Sequence, residues 1–354
     1  MPGSDVGLRP LTGSPREIES LVAGWLAADE TEPLWVRTSG SSGEPKDVML
    51  STQALRASAT ATIRRLGGPG QWALALPAHY VAGLQVVVRS LLAGTSPVVV
   101  ADHDDLSAAT AALTGARRYL AIVPTQLHRW LDDDASLEAL RGYDAVLLGG
   151  ATAAESDLTA ARAAGVAIVT TYGMSETCGG CVYDGLPLDG VAVALGAGGR
   201  IRLAGPVLFD GYAGRPDLTA EVLQDGWLTT SDVGELDADG LLTVLGRADD
   251  VVVSGGVKVP IAVVEAAVRS VPGVRGCAVV GLPDAEWGEV VCAVVEVAGD
   301  DSRVTLDEVR AVVGSRHPRT WAPRRLVVTD ALPLLESGKV DRGAVLTSLA
   351  AAHG

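Results

Sequence analysis

Positive charge is scarce in this chain: 28 Lys and Arg stand against 43 Asp and Glu, for a formal net charge of −15. The clustered basic side chains that neutralise phosphate backbones are missing, which argues against nucleic acid as a partner. Long apolar runs are missing too. No stretch approaches the roughly 20 residues a membrane helix needs, and the N-terminal segment MPGSDVGLRPLTGSPRE has no hydrophobic signal core. The expectation is a cytoplasmic protein with no membrane insertion. The four cysteines, Cys178, Cys181, Cys277 and Cys292, are too few and too scattered for a disulfide framework. Cys178 and Cys181 have CxxC spacing but no second CxxC or His pair to complete a zinc site, so small packing residues are the expected reading. Phenylalanine occurs once, and the 48% hydrophobic content comes with abundant Ala and Val.

What is present points to more than one domain, because 354 residues exceed an ordinary single one. A helical pattern, REIESLVAGWLAA, precedes LWVR, a strand that delivers the chain into the loop TSGSSGEPKD, Thr38 to Asp47. From Trp72 onward, strand-like runs (WALAL, PVVVA, YLAIV, AVLLGG, VAIVTTYG) alternate with helical ones (LQVVVRSLLAG, LSAATAALTGA, TQLHRWL, ESDLTAARAAG). That alternation predicts an α/β fold with a parallel, helix-covered sheet. Between Gly190 and Gly246 short strands and turns take over, including Asp225-Gly226 and Asp239-Gly240, and predict a β-rich subdomain. The remainder, with helix VPIAVVEAAVRSV, strands CAVVGL and VVCAVVEVA, and helix LDEVRAVVGSR, reads as a small mobile α+β domain. The expected boundaries are 1–246 for the large domain, 247–250 for a hinge and 251–354 for the C-terminal domain.

Glycines let backbone N–H groups approach an anion, hydroxyls add donors and lysine neutralises charge. Thr38, Ser39, Gly40, Ser41, Ser42, Gly43 and Lys46 supply all three, so the loop suits polyphosphate, although it is not a Walker A sequence and alone could be an ordinary surface turn. Five further segments follow it in order: LPAHYVAG (76–83), LLGGA (147–151), TYGMSET (171–177), WLTTSD (227–232) and GRADDVVVSGGVKV (246–259). LPLLESGKVDR (332–342) completes the series. Together with TSGSSGEPK, these colinear motifs resemble those of the adenylate-forming acyl-CoA synthetase and ligase family. The chain departs from the family pattern at Asp47 and Ser231, where glycine is usual, and in lacking the N-terminal region that longer members carry.

The resemblance implies an enzyme that couples ATP and an acid into an acyl-adenylate, then exchanges AMP for coenzyme A, with Mg²⁺ as cofactor. It implies catalytic roles for Lys339 and Glu176, the latter also as metal ligand. A hard cation bridging phosphates takes a carboxylate and keeps several waters. The nucleotide contacts would include Gly150, Ala151, Tyr172, Gly173, Ser175, Asp232 and Arg247. Tyr172 offers a ring face to adenine, Asp232 two acceptors to ribose, and Arg247 a permanent multi-donor cation. Asp249 matches the hinge, and Gly255 and Gly256 form a loop that pantetheine can approach closely. The acid would lie among His79, Arg89, Gly149, Gly179 and Gly180. The short chain and TCGGCVYDGLPLDG after the glutamate are most similar to the o-succinylbenzoate-CoA ligases of menaquinone biosynthesis. An aromatic dicarboxylic acid is therefore the expected substrate, with Arg89 at its unreacted carboxylate; a snorkelling surface arginine is the other reading of that position. Other aryl- or acyl-CoA synthetases, and a standalone adenylation module loading a carrier protein, are the alternatives. A homodimer is expected from the family.

Overall fold

The computed structural model describes residues 7–28, 31–38, 45–248, 250–297, 304–335 and 340–351. Its centre is a seven-stranded sheet. Val98–Val99, Gln71–Leu74, Arg118–Ile122, Ala145–Leu148 and Ile168–Met174 run parallel, and Gly179–Tyr183 and Leu186–Pro187 add an antiparallel edge. The strands are apolar on both faces because both are covered, as parallel strands require. Trp72, Leu74, Tyr119, Ala121 and Leu147 face one core with the helices Thr52–Arg65 and Val81–Leu92. Their alternates Ala73, Leu120, Ile122, Val146 and Leu148 face another core, which is closed by Leu106, Leu127, Leu140 and Leu158 from four helices.

The expected β-rich region is a five-stranded antiparallel sheet built on Trp227–Leu236. Asp225 and Gly226 both have positive φ (50° and 76°), the requirement of a tight primed turn joining Leu223–Gln224 to Trp227–Leu236. A second five-stranded sheet lies in the C-terminal region, with Gly288–Val297 flanked by Val274–Asp284, Val251–Ser254 and the parallel strand Arg325–Thr329. Helices Ile261–Arg269 and Leu306–Arg316 cover one face through Val264, Val268, Val309 and Val313, and Val345 and Leu349 of Arg342–Ala351 cover the other. The hydrophobic clusters before Gly246 and after Asp250 share no residue.

Three features of the structure differ from the sequence reading. The phosphate-loop strand is half of a hairpin: Leu34–Thr38 pairs with Lys46–Leu50, Arg37 opposite Asp47. The helix Thr52–Arg65 escaped the pattern because its buried face consists of Thr52, Ala54, Leu55, Ser58, Ala59, Ala61 and Thr62, small or hydroxyl-bearing side chains with little hydrophobic contrast. The run PVVVA is a strand only at Val98–Val99 and turns into a 3₁₀ segment, Val100–Asp102.

Candidate active site

The strand Ile168–Met174 carries the first group of site residues off the carboxyl end of the parallel sheet. Its Tyr172 is directed to the neighbouring β-rich sheet, where the hydroxyl donates to Asp232 Oδ2 at 2.8 Å. Burial and the Asp232 charge push the Tyr172 hydroxyl pKa far up, so it remains a protonated donor. Asp232 lies opposite Arg247 in the antiparallel pairing, with Arg247 Nη1 at 4.0 Å from Asp232 Oδ1. A carboxylate accepts about four hydrogen bonds, so Asp232 retains acceptor capacity beyond Tyr172. These three residues, far apart in sequence, form one polar corner. Gly173 is required by close approach: a Cβ there would come within 2.1 Å of the Gly179 carbonyl on the adjacent strand. Gly149 likewise packs on Thr171, whose Oγ1 would lie 2.3 Å from an added Cβ, while Gly150 (φ 84°) and Ala151 follow at the exposed strand end.

Past Tyr172 the chain turns through a 3₁₀ segment, Ser175–Thr177, that holds Glu176. Thr177 fixes the turn, accepting from Met174 N at 2.9 Å and donating to Gly179 O at 2.7 Å. Cys178 takes a left-handed conformation (φ 52°), and its carbonyl accepts from buried Ser58 at 3.1 Å. The Glu176 carboxylate accepts from Tyr212 Oη at 2.7 Å, and Lys46 Nζ stands over the Tyr212 ring at 5.2 Å from its centroid. Lys46 and the Glu176 carboxylate thus meet on different parts of one aromatic side chain. No cluster of three metal-ligating side chains occurs among the described residues. The single carboxylate fits Mg²⁺ nonetheless, since that ion binds through one or two carboxylates plus substrate phosphates and water. Tyr212 was missed in the sequence reading; a lone Gly-Tyr pair between turns carries no periodic signal.

Gly179 and Gly180 pack closely against Gln85 and Tyr183. A Cβ on Gly179 would meet Gln85 Cγ at 3.4 Å, and one on Gly180 would meet the Tyr183 ring at 3.1 Å. Arg89, one helical turn from Gln85, is only 3% exposed, which removes the snorkelling alternative. Its guanidinium lies 5.0 Å from the Trp72 ring centroid and its Nη2 donates to Tyr183 Oη at 3.5 Å, while its Nε has no partner among the described residues. Burial lowers the Arg89 pKa from its ordinary value, and no carboxylate pairs with it among the described residues. His79 packs against Tyr80, ring centroids 4.4 Å apart, just before the helix that carries Arg89.

Cys178 and Cys181 are buried in the core with their thiol pKa values raised by burial, that of Cys181 to about 12, which suits packing rather than redox or metal chemistry. Asp47 has a structural occupation: its carboxylate makes a bidentate pair with Arg37, both contacts at 2.9 Å, across the base of the phosphate-loop hairpin. Gly255 and Gly256 form the turn between Val251–Ser254 and Val257–Pro260, at φ of 55° and 80°. The ring that approaches Gly255 in the structure is the chain's own Trp287, within 2.5 Å of where a Cβ would stand. Ser39, Gly40, Ser41, Ser42, Gly43, Asp249 and Lys339 lie outside the described residues. The anchor of the lysine motif is visible: Arg342 donates to Asp250 at 2.6 Å and to buried Glu265 at 2.9 Å.

Comparison with known proteins places this arrangement. The AMP-binding enzyme profile matches residues 34–216, and that of the AMP-binding enzyme C-terminal domain matches 263–339. A probable 2-succinylbenzoate–CoA ligase of Mycobacterium tuberculosis is 45% identical over 360 residues, spanning 98% of this chain and 92% of the relative. A feruloyl-CoA synthase of an Amycolatopsis species is 34% identical, over 91% of this chain and 73% of its own length. Among solved structures, the o-succinylbenzoate CoA synthetase of Bacillus subtilis with its acyl-adenylate intermediate superposes with a TM-score of 0.74 at 28% identity, covering 88% of this chain and 68% of that one. The same enzyme with ATP and magnesium ion gives 0.73 at 27% identity, over 88% and 69%. The paired profiles fall on the stretches that contain the phosphate hairpin, Glu176 and the lysine motif, and the chain belongs to the AMP-binding enzyme family of adenylate-forming ligases.

Proposed function

We propose that the chain is an o-succinylbenzoate-CoA ligase of menaquinone biosynthesis, consuming ATP and coenzyme A. The observation that carries the acid assignment is Arg89: a cation 3% exposed whose Nε has no partner and which has no carboxylate beside it among the described residues. Leaving a charge buried and unpaired costs several kcal/mol, a cost that a second carboxylate on the substrate would offset. Similarity to the Mycobacterium tuberculosis and Bacillus subtilis enzymes supports the same substrate.

In the first half-reaction a succinyl carboxylate oxygen attacks the ATP α-phosphorus and the bond to the β-phosphate oxygen breaks, releasing pyrophosphate. In the second the thiol sulfur attacks the acyl carbon, AMP leaves and the thiol proton is lost. Asp232 and Arg247 would hold the ribose, Tyr172 would orient Asp232 and lie against adenine, and Lys46 with the hydroxyl-rich loop would hold the phosphates. Bound at Glu176, Mg²⁺ would neutralise charge on the departing phosphates. Lys339 serves adenylation only, and the domain after the 247–250 hinge reorients so that Gly255 and Gly256 admit the pantetheine thiol. Homodimer assembly rests on the family resemblance alone, and a cytoplasmic location accords with the lack, among the described residues, of a helix long and apolar enough to cross a membrane.

The test is pyrophosphate release with ATP, Mg²⁺ and a panel of aryl and aliphatic acids. Selective release with o-succinylbenzoate is expected, and preference for ferulate or a fatty acid would overturn the acid assignment. For Lys339, the K339A variant given preformed acyl-adenylate should still form thioester; equal loss of both half-reactions would contradict the division of labour.

A further inference from the structure

Tyr212 lies in the two-residue strand Gly211–Tyr212, which extends the phosphate-loop hairpin by pairing with Met49 and Val48. Its backbone is fastened on three sides. Tyr212 N donates to Thr219 Oγ1 at 2.9 Å, Ala213 N to Asp47 O at 2.9 Å, and Asp210 N to Met49 O at 2.9 Å. The ring is 5% exposed and held edge-on by Phe209, centroids 5.0 Å apart, while Phe209 N donates to the Glu176 carbonyl at 3.0 Å. A side chain fixed this firmly touches two opposite charges: Lys46 over its face and Glu176 at its hydroxyl.

We propose that Tyr212 is a positioning residue that keeps Lys46 and Glu176 apart and separately oriented for the phosphate and metal ends of ATP. The ammonium over the ring face and the carboxylate at the hydroxyl attract each other, and an ion pair between them would cost each the charge it offers to the ligand. The ring face satisfies the cation without neutralising it. The hydroxyl takes one acceptor position on Glu176 Oε1, fixes the carboxylate rotamer and leaves the rest of its acceptor capacity for a cation. The proposal rests on reading Lys46 as a phosphate contact and Glu176 as a metal ligand.

Calorimetric titration of ATP without any acid tests it, because no turnover occurs and the identity of the acid does not enter. The wild-type protein should bind ATP more tightly with Mg²⁺ than with EDTA. Y212F keeps the ring and should lose about tenfold of the metal enhancement, with affinity in EDTA unchanged. Y212L removes the ring as well, and should also weaken ATP in EDTA by severalfold, as K46M does. Mn²⁺ titration followed by electron paramagnetic resonance should show the same tenfold weakening for the Y212F–ATP complex. A Y212F protein that keeps the full metal enhancement, or one that loses EDTA affinity to the same extent, would overturn the proposal. An E176Q protein that keeps the enhancement would overturn it together with the reading of Glu176.

Discussion

Replacing Arg89 by methionine separates a substrate-binding cation from a structural one. The side chain is nearly solvent-free, contacts the Trp72 ring at 5.0 Å and reaches Tyr183 Oη at 3.5 Å, at the outer limit of a hydrogen bond. Methionine is of comparable length and apolar, so the variant fills most of the space and abolishes a desolvated charge that costs several kcal/mol. The losses are a buried cation–π contact of about 2 kcal/mol and the weak bond to Tyr183, whose hydroxyl keeps Thr62 at 2.9 Å. The free protein should therefore melt at the same temperature or higher. Catalysis should move the other way. A charge-assisted hydrogen bond to a carboxylate is worth about 1.5–3 kcal/mol, so kcat/KM for o-succinylbenzoate should fall roughly 10- to 150-fold, at about 1.4 kcal/mol per decade. The assay is steady-state pyrophosphate release with o-succinylbenzoate and with 4-oxo-4-phenylbutyrate, which lacks the ring carboxylate. R89M should leave the second acid's kcat/KM unchanged or raised. Equal losses for both acids, or a sharply lowered melting temperature, would refute the assignment.

Tyr172→Phe removes the donor to Asp232 and should raise the ATP KM roughly fivefold, a loss of about 1 kcal/mol, with little change in kcat; a fall in kcat alone would contradict an orienting role. Arg37→Ala frees the Asp47 charge beside the phosphate loop and should weaken ATP about fivefold by calorimetry, as repulsion of ~1 kcal/mol between partly solvated charges allows. In the same titration the Arg37→Ala, Asp47→Gly double variant should recover the lost affinity. Glu265→Ala removes the acceptor of the Val279 amide (2.9 Å), of Arg269 (3.2 Å) and of one amine of Arg342 (2.9 Å), whose other amine keeps Asp250. Urea denaturation should show a loss of about 3 kcal/mol, the lower end of the cost of breaking a buried pair because Arg342 is 37% exposed.

Much of the large domain was legible because its strands and helices alternate with strong hydrophobic contrast from Trp72 to Gly173. Thr52–Arg65 was not, since a helix packed through Ser, Thr and Ala has no apolar stripe to read. The segment around Gly255 was read as a loop, yet its Val-rich flanks make a hairpin whose turn needs two positive-φ glycines. The strand Arg325–Thr329 pairs with a strand distant in sequence and escaped notice. Candidate site residues came from the long motifs. Tyr172, Glu176, Asp232 and Arg247 came from such runs, and the structure adds the bonds that join Tyr172 to Asp232 and Tyr212 to Glu176. Arg89 could be marked on its helix, but its burial depends on Trp72 and Tyr183, which only the fold brings to it. Asp47 looked like a defect in the phosphate loop until the hairpin placed Arg37 opposite it.

The most direct measurement is mass analysis of the products formed from ATP, Mg²⁺ and o-succinylbenzoate, with and without coenzyme A. The account predicts an acyl-adenylate that accumulates without CoA and is replaced by AMP and the o-succinylbenzoyl-CoA thioester when CoA is added. ADP in place of AMP, or an adenylate that CoA leaves untouched, would contradict it.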